Sequence, residues 1–231
     1  MQDCQTIIIL HGWGSSREKW KQVKEKLEDK GIEVIIPAIP GLGEGKKLKK
    51  PWSLKDYVDW FWEFSKDKEK FFLLGHSFGG RISIKFAQKF PERLKGLILV
   101  SAAGIKPKKK LLSCFVPFFK KFSFLPYYNT LRRFFYKFVI RNPDYLQAKG
   151  VMKETLKEVV KEDLRPCLSQ IKTKTLIIWG DKDKITPIFD AYLINEKIKN
   201  SRLEVLKNTG HAPYLECPDL LSQKIINFIE E

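Results

Sequence analysis

The stretch of sequence that decides the fold is FFLLGHSFGG, residues 71–80. Four apolar residues lead into the pattern G-x-S-x-G, which is typical of a sharp turn between a strand and a helix. Such a turn strains the backbone of its central residue, Ser77, and small residues two positions before and after it avoid clashes with the neighbouring elements. Ser77 Oγ would stand at the start of a helix, where the helix dipole favours negative charge. The pattern therefore predicts Ser77 as a nucleophile, and an incidental serine in a glycine-rich turn is the weaker alternative.

Short apolar runs rich in β-branched residues recur on both sides of this turn. They predict strands at residues 6–10, 34–36, 71–74, 97–101, 175–179 and 203–206. Amphipathic stretches between the runs predict helices at residues 17–30, 54–65, 79–90, 188–198 and 218–229. Each helix is long enough for the crossover that parallel strands require. The sequence thus predicts an α/β fold with a mainly parallel sheet of about six strands, covered by helices on both faces.

Residues 105–171 interrupt this alternation, because they contain helical patterns but no strand-like run. Within them, residues 105–141 hold ten basic and eleven aromatic residues and no acidic residue. The fragment CFVPFFKKFSFLPYY has more apolar residues than one buried helical stripe needs. We expect a helical cap over the carboxyl edge of the sheet, with residues 1–104 and 172–231 forming the α/β core. An ordinary pair of packed amphipathic helices is the alternative.

The composition limits the classes of protein that the chain can belong to. With 231 residues and 43% hydrophobic content it is not disordered, and its apolar runs are far shorter than the roughly 18 residues that span a bilayer. The first residues lack the basic start and long apolar stretch of a signal peptide, so we expect a cytoplasmic protein. The four cysteines lie far apart without a C-x-x-C pair. We therefore expect reduced thiols, and neither a metal nor a cofactor.

The net charge of +16 raises the question of nucleic acid, because clustered Lys and Arg neutralise phosphates. However, 35 of the 43 basic residues are lysines, whereas bidentate recognition of phosphates and bases favours the arginine fork. A lysine-rich solvated surface is the simpler interpretation, and we expect no specific nucleic-acid binding.

A serine nucleophile needs a general base, and the chain offers only three histidines. His76 is adjacent to Ser77, where successive side chains diverge, and His11 belongs to the loop after the first strand. His211 follows the last predicted strand, from which a loop at the carboxyl edge can reach Ser77. The base also needs a carboxylate that holds its ring, which predicts Asp183 in the segment TLIIWGDKDKITP, with Asp181 as the second choice.

Hydrolysis of an acyl group also requires donors for the negatively charged oxygen of the transition state. The sequence His11-Gly12-Trp13-Gly14 follows the first strand at the same edge of the sheet. Its Trp13 amide and the Phe78 amide would form the oxyanion hole. We expect His11, Gly12, Trp13 and Phe78 to line the substrate site, although HGWG alone could be a simple turn.

The ordered set HGWG, GHSFGG, GDKD and GHAPYLECP resembles the α/β-hydrolase superfamily over nearly the whole chain. The fragment HGWGSSREKW is also similar to the pimeloyl-carrier-protein methyl ester carboxylesterases. The resemblance implies Ser77 as nucleophile, His211 as base, Asp183 as acid and the Trp13 and Phe78 amides as oxyanion hole. Since the first strand begins five residues after Met1, we expect the usual antiparallel strands that precede it in the family to be absent, leaving six strands rather than eight.

The resemblance implies a cofactor-independent serine hydrolase that cleaves carboxylic esters through an acyl-enzyme. Because aromatic residues crowd the cap and flank the site at Trp13 and Phe78, we expect small to medium acyl groups in a mainly hydrophobic pocket. A lactonase, for example for acyl-homoserine lactones, or a carbon–carbon hydrolase would use the same residues. From a different class, a binding or receptor protein of hydrolase fold could dock through its basic cap on an anionic membrane or an acidic carrier protein. The aromatic cap could also pair with its copy in a homodimer.

Overall fold

One six-stranded sheet forms the centre of the molecule, whose computed structural model describes residues 5–106 and 149–231. Its strands are β1 (Thr6–Leu10), β2 (Glu33–Ile35), β3 (Phe71–His76), β4 (Leu94–Val100), β5 (Thr175–Gly180) and β6 (Ser201–Leu206). They lie in the order β2-β1-β3-β4-β5-β6, and every neighbouring pair is parallel. This confirms the predicted α/β fold with its mainly parallel sheet.

Helices cover both faces of the sheet. They are α1 (Lys21–Glu28), α2 (Leu54–Ser65), α3 (Phe78–Lys89), α4 (Gly150–Val160), α5 (Arg165–Leu168), α6 (Ile188–Lys197), α7 (Pro213–Glu216) and α8 (Pro218–Glu230). Side chains alternate along each strand, so that Ile7 and Ile9 pack with α1 and α8 while Ile8 and Leu10 pack with α2, α3 and α6. The two apolar layers fix the register of the strands, because a shift of one residue would exchange the faces.

Local signals explain where two of the helices begin and end. In α2, Ser53 and Asp56 form a reciprocal capping box, so the helix starts where the sequence predicts it. The helix predicted at residues 17–30 is shorter, because a 3₁₀ turn (Glu18–Trp20) precedes α1 and Gly31 follows it with φ 74°. A glycine in this left-handed conformation commonly terminates a helix.

The predicted cap falls largely on residues 107–148, which lie outside the described residues. Its described part contains α4 and α5. Arg81 of α3 ties the end of α4 to the core, since its guanidinium donates to Val159 O at 2.8 Å and also to Glu162 O. The division into a core and a cap remains a prediction. Within residues 5–106 and 149–231, no helix has the length and apolar character needed to cross a membrane.

The parallel sheet positions the candidate site. Because the strands all run the same way, the loops that follow β1, β3, β5 and β6 meet at its carboxyl edge. These loops carry the segments in which the sequence predicts chemistry.

Candidate active site

Ser77 occupies the tight turn between β3 and α3. Its backbone has φ 51° and ψ −113°, a conformation that is strained for any residue with a side chain. The turn is held by hydrogen bonds from Ser77 N to Val100 O (3.2 Å) and from Gly80 N and Ala103 N to Ser77 O (3.0 and 2.9 Å). The surrounding backbone therefore fixes the strained residue at the carboxyl edge of the sheet.

Glycines beside the turn allow the backbones to approach closely. A Cβ on Gly79 would lie 1.9 Å from Leu10 O of β1, and a Cβ on Gly75 would lie 2.4 Å from Ser83 Oγ of α3. Both contacts are too short for real atoms, so a larger residue would push β1 or α3 away from the turn. The spacing of G-x-S-x-G thus reflects packing on both sides of Ser77.

The predicted base and nucleophile come within hydrogen-bond distance of each other. His211, in the loop after β6, has Nε2 at 3.0 Å from Ser77 Oγ and Nδ1 at 2.8 Å from Asp183 Oδ2. A neutral imidazole protonated at Nδ1 fits both contacts, because it donates to the carboxylate and accepts from the hydroxyl. In this tautomer His211 can take the proton of Ser77.

Asp183 is held as a carboxylate by four donors. Its Oδ1 accepts from the amides of Ile185 (2.8 Å) and Thr186 (2.9 Å), and its Oδ2 accepts from Thr186 Oγ1 at 2.7 Å as well as from His211. Burial by itself would raise the pKa of Asp183, but the hydrogen bonds from His211, Thr186 and Ile185 outweigh it and lower the pKa below its ordinary value. Asp183 is therefore ionised at neutral pH and can stabilise a protonated His211.

Asp181, the second choice for the carboxylate, makes different contacts. Its Oδ1 accepts from Thr209 N at 3.2 Å, and its own amide donates to Leu206 O at 3.1 Å. It therefore ties the loop that carries His211 to the end of β5 and does not hydrogen-bond to the ring.

The loop after β1 lies against the turn of Ser77. A Cβ on Gly12 would be 3.0 Å from Ser77 Cβ, and the rings of Trp13 and Phe78 meet edge to face at 5.5 Å between centroids. Phe78 is the first residue of α3, so its amide has no acceptor within the helix. This arrangement brings the two predicted oxyanion segments together beside Ser77.

His11 and His76 are both buried, and their hydrogen bonds go to the backbone carbonyls of Gly12 and His211 rather than to Ser77 Oγ. His11 Nδ1 donates to Gly12 O at 3.0 Å, and burial lowers the pKa of His11. This contact supports the loop, and the predicted role of His11 in binding substrate remains a prediction. Among the described residues, no cluster of His, Cys, Asp and Glu side chains could hold a metal ion.

Sequence reasoning missed two contributors to the site. Thr186 donates to Asp183 through both its amide and its hydroxyl, and the spacing D-x-x-T is a local signal that could have found it. The second is His76, whose Nε2 donates to His211 O at 2.8 Å. These two residues are far apart in the sequence, so no local pattern reveals the contact.

A strained serine on a strand-to-helix turn, facing a histidine and a carboxylate at the carboxyl edge of a parallel sheet, is typical of one hydrolase class. The family model described as alpha/beta hydrolase fold matches residues 5–135 and 125–218. The chain belongs to this family. The narrower resemblance to pimeloyl-carrier-protein methyl ester carboxylesterases remains a prediction.

Individual relatives are hydrolases with several different substrates. Lipase 1 of Psychrobacter immobilis is 26% identical over 93% of this chain and 74% of its own length. The 2-hydroxy-6-oxononadienedioate/2-hydroxy-6-oxononatrienedioate hydrolase of Escherichia coli strain K12 is 27% identical over 99% of this chain and 88% of its own length. The esterase EaEST of Exiguobacterium antarcticum superposes with a TM-score of 0.77 at 22% identity, over 98% of this chain and 92% of its own. The structural likeness shows the fold, and the named relatives support a hydrolase.

Proposed function

We propose that this protein is a serine hydrolase that cleaves carboxylic esters through a covalent acyl-enzyme. Ser77 is the nucleophile, His211 the general base and Asp183 the carboxylate that orients His211. The observation that carries the proposal is the continuous row of hydrogen bonds from Asp183 through His211 to Ser77 Oγ. A serine hydroxyl is a weak nucleophile until a base takes its proton, and this row provides the base.

The reaction follows from these contacts. His211 Nε2 takes the proton as Ser77 Oγ attacks the ester carbonyl, and the amides of Trp13 and Phe78 donate to the oxygen that becomes negative. Protonated His211 gives its proton to the departing alcohol, which leaves the acyl group on Ser77. His211 then takes a proton from water, whose oxygen attacks the acyl group. The bond from the acyl carbon to Ser77 Oγ breaks, His211 returns the proton to Ser77 Oγ, and the acid is released. Asp183 remains ionised throughout and stabilises the imidazolium.

The side chains near Ser77 favour an apolar acyl group. Phe78 packs edge to face against both Trp13 and Tyr57, with centroid distances of 5.5 and 5.0 Å. Apolar walls with a few polar groups are usual in sites for small molecules. We therefore propose esters of small to medium acyl chains as substrates.

The test compares wild type with Ser77→Ala on p-nitrophenyl esters of increasing acyl length. We expect Ser77→Ala to lower kcat by at least about 10⁴-fold, because the nucleophile is lost. Ser101→Ala is a matched control, since Ser101 also has a positive φ (44°) at the end of a strand and its Oγ makes no hydrogen bond within the described residues. We expect this control to keep most of its activity. Full activity of Ser77→Ala would refute the mechanism.

Carbon–carbon hydrolysis is a second candidate, because the Escherichia coli relative named above covers 99% of this chain. Incubation of the wild type with 2-hydroxy-6-oxononadienedioate distinguishes the two reactions. Turnover of this compound without turnover of any ester would favour the second candidate. Lactone hydrolysis remains a prediction, and acyl-homoserine lactones belong in the same set of test substrates.

Several expectations concern the basic segment, residues 105–141. Docking on an anionic membrane or an acidic carrier protein and pairing in a homodimer depend largely on residues 107–148, outside the described residues. These expectations remain predictions. Sedimentation with anionic vesicles at low and high salt tests the expected docking on a membrane, because electrostatic docking weakens as salt rises.

A further inference from the structure

His76 is a buried histidine with one defined hydrogen bond. It is 3% exposed, and its Nε2 lies 2.8 Å from the carbonyl oxygen of His211. A carbonyl oxygen only accepts, so Nε2 must carry the proton, and His76 is held in one tautomer. The ring also packs against Tyr214 and Trp20, with centroid distances of 4.9 and 5.9 Å. Burial lowers the pKa of His76 to about 3, so the ring is uncharged near neutral pH.

Glu216 holds the residues on either side of His211. Its Oε2 accepts from Gly210 N at 2.6 Å, and its Oε1 accepts from Ala212 N at 3.1 Å. Together, His76 and Glu216 bind three successive residues of the main chain: the amide of Gly210, the carbonyl of His211 and the amide of Ala212. The backbone that carries His211 is therefore fixed from the interior and from the surface.

We propose that His76 is a positioning residue for His211, with Glu216 in a supporting role. By fixing the carbonyl of His211, His76 fixes the backbone from which the imidazole side chain extends. It thereby keeps Nε2 of His211 at 3.0 Å from Ser77 Oγ and Nδ1 at 2.8 Å from Asp183. The inference rests on the proposed function, in which His211 is the base. The hydrogen bond of His76 goes to His211 O, whereas the hydrogen bond of Ser77 Oγ goes to His211 Nε2, so we expect His76 to act through His211.

The two supports differ in strength because they differ in exposure. The side chain of His76, which donates one bond, is 3% exposed, whereas Glu216 is exposed and its hydrogen bonds compete with solvent. A hydrogen bond from a buried donor competes less with water, so we expect its loss to have the larger effect. Small displacements of a catalytic group are costly, since an error of about 1 Å can lower a rate about 100-fold.

The experiment replaces the donor and keeps the shape. His76→Phe preserves a flat ring against Trp20 and Tyr214 but cannot donate to His211 O. We expect kcat on a p-nitrophenyl ester to fall about 10- to 100-fold with little change in KM, because binding of the ester is not altered. His76→Gln restores an N–H donor near the position of Nε2, and we expect it to recover most of kcat. Glu216→Gln should lower kcat less than His76→Phe does.

A second measurement does not depend on turnover. In proton NMR spectra, the Nδ1–H of His211 that donates to Asp183 should give a low-field resonance in the wild type. We expect this resonance to broaden or disappear in His76→Phe and to return in His76→Gln. A loss of activity caused only by lower stability would not follow this pattern, and midpoints of thermal unfolding measured for each variant identify such a loss.

The outcomes separate the inference from the proposed function. Unchanged kcat and an unchanged resonance in His76→Phe overturn the positioning role, and so does a loss that His76→Gln fails to restore. If His76→Phe does not fold, His76→Leu, which also lacks a donor, takes its place, and wild-type kcat and resonance in this variant overturn the role. If the wild type cleaves no ester, the proposed function fails, while the resonance still tests whether His76 positions His211.

Discussion

Two histidine rings lie side by side at the carboxyl edge of the sheet, 5.0 Å apart between centroids, in very different surroundings. His76 ends β3 in the interior and donates to a main-chain carbonyl. His211 lies in a loop, donates to the carboxylate of Asp183 and accepts from Ser77. A carbonyl oxygen fixes the tautomer of a histidine but stabilises its protonated form only weakly. A carboxylate fixes the tautomer and also stabilises the protonated form. The partners of a histidine, rather than its proximity to the nucleophile in the sequence, decide whether it can act as a base.

The largest expected effect comes from removing the ring of His211. His211→Ala should lower kcat on a p-nitrophenyl ester by about 10⁴-fold, because within the described residues His211 is the side chain that hydrogen-bonds to Ser77 Oγ and can take its proton. Added imidazole should restore part of this activity, and it should restore none in Ser77→Ala. If His76→Phe proved more damaging than His211→Ala, the roles assigned to the two histidines would be reversed.

The second effect concerns the carboxylate that distinguishes His211 from His76. Asp183→Asn should lower kcat by roughly 10³-fold, since an amide can turn its NH₂ toward Nδ1 and favour the wrong tautomer. Asp181→Asn is the matched control, because its amide oxygen can still accept from Thr209 N. We expect the control to retain activity close to wild type. Equal losses in both variants would contradict the assignment of Asp183.

The fold was predictable because each element has its own local signal. The helix at residues 54–65 was predicted with its observed bounds, since Ser53 and Asp56 mark its start and its apolar face is regular. The ends of the predicted strands coincide with the observed ends or differ from them by at most three residues. The 3₁₀ turn before α1 was not predicted, because a period of three and one of 3.6 cannot be distinguished over three residues.

The site was predictable only in part. The histidine could be selected because parallel strands bring His211 and Ser77 to the same edge, but the sequence left Asp181 and Asp183 open, since both follow β5. Their difference depends on which carboxylate faces the ring, and that is set by the turn in which Thr186 donates to Asp183. The contact of His76 with His211 O joins the last residue of β3 to the loop after β6, two strands that are not neighbours in the sheet. Such a contact has no signature in the local sequence.

The smallest expected effect is a dependence of stability on pH that belongs to His76. Its pKa is about 3 in the folded protein against an ordinary value of 6.5. As the pH falls below 6.5, the unfolded chain binds a proton at this residue and the folded chain does not, so the free energy of unfolding decreases. The decrease amounts to about 1 kcal/mol between pH 6 and pH 5, and it vanishes in His76→Phe. Urea unfolding of both proteins at the two pH values measures it.

The choice of pH window separates His76 from the other groups around it. Asp183 has a lowered pKa, so its share of the stability is lost only below the ordinary range of a carboxylate, about pH 4. Tyr214 faces His76, but its pKa is raised and it does not titrate here. His11, whose pKa is also lowered by burial, contributes equally to wild type and variant, and therefore cancels in their difference. If the free energy of unfolding fell equally with pH in wild type and His76→Phe, His76 would be protonated in the folded protein. This would require a different partner for its ring.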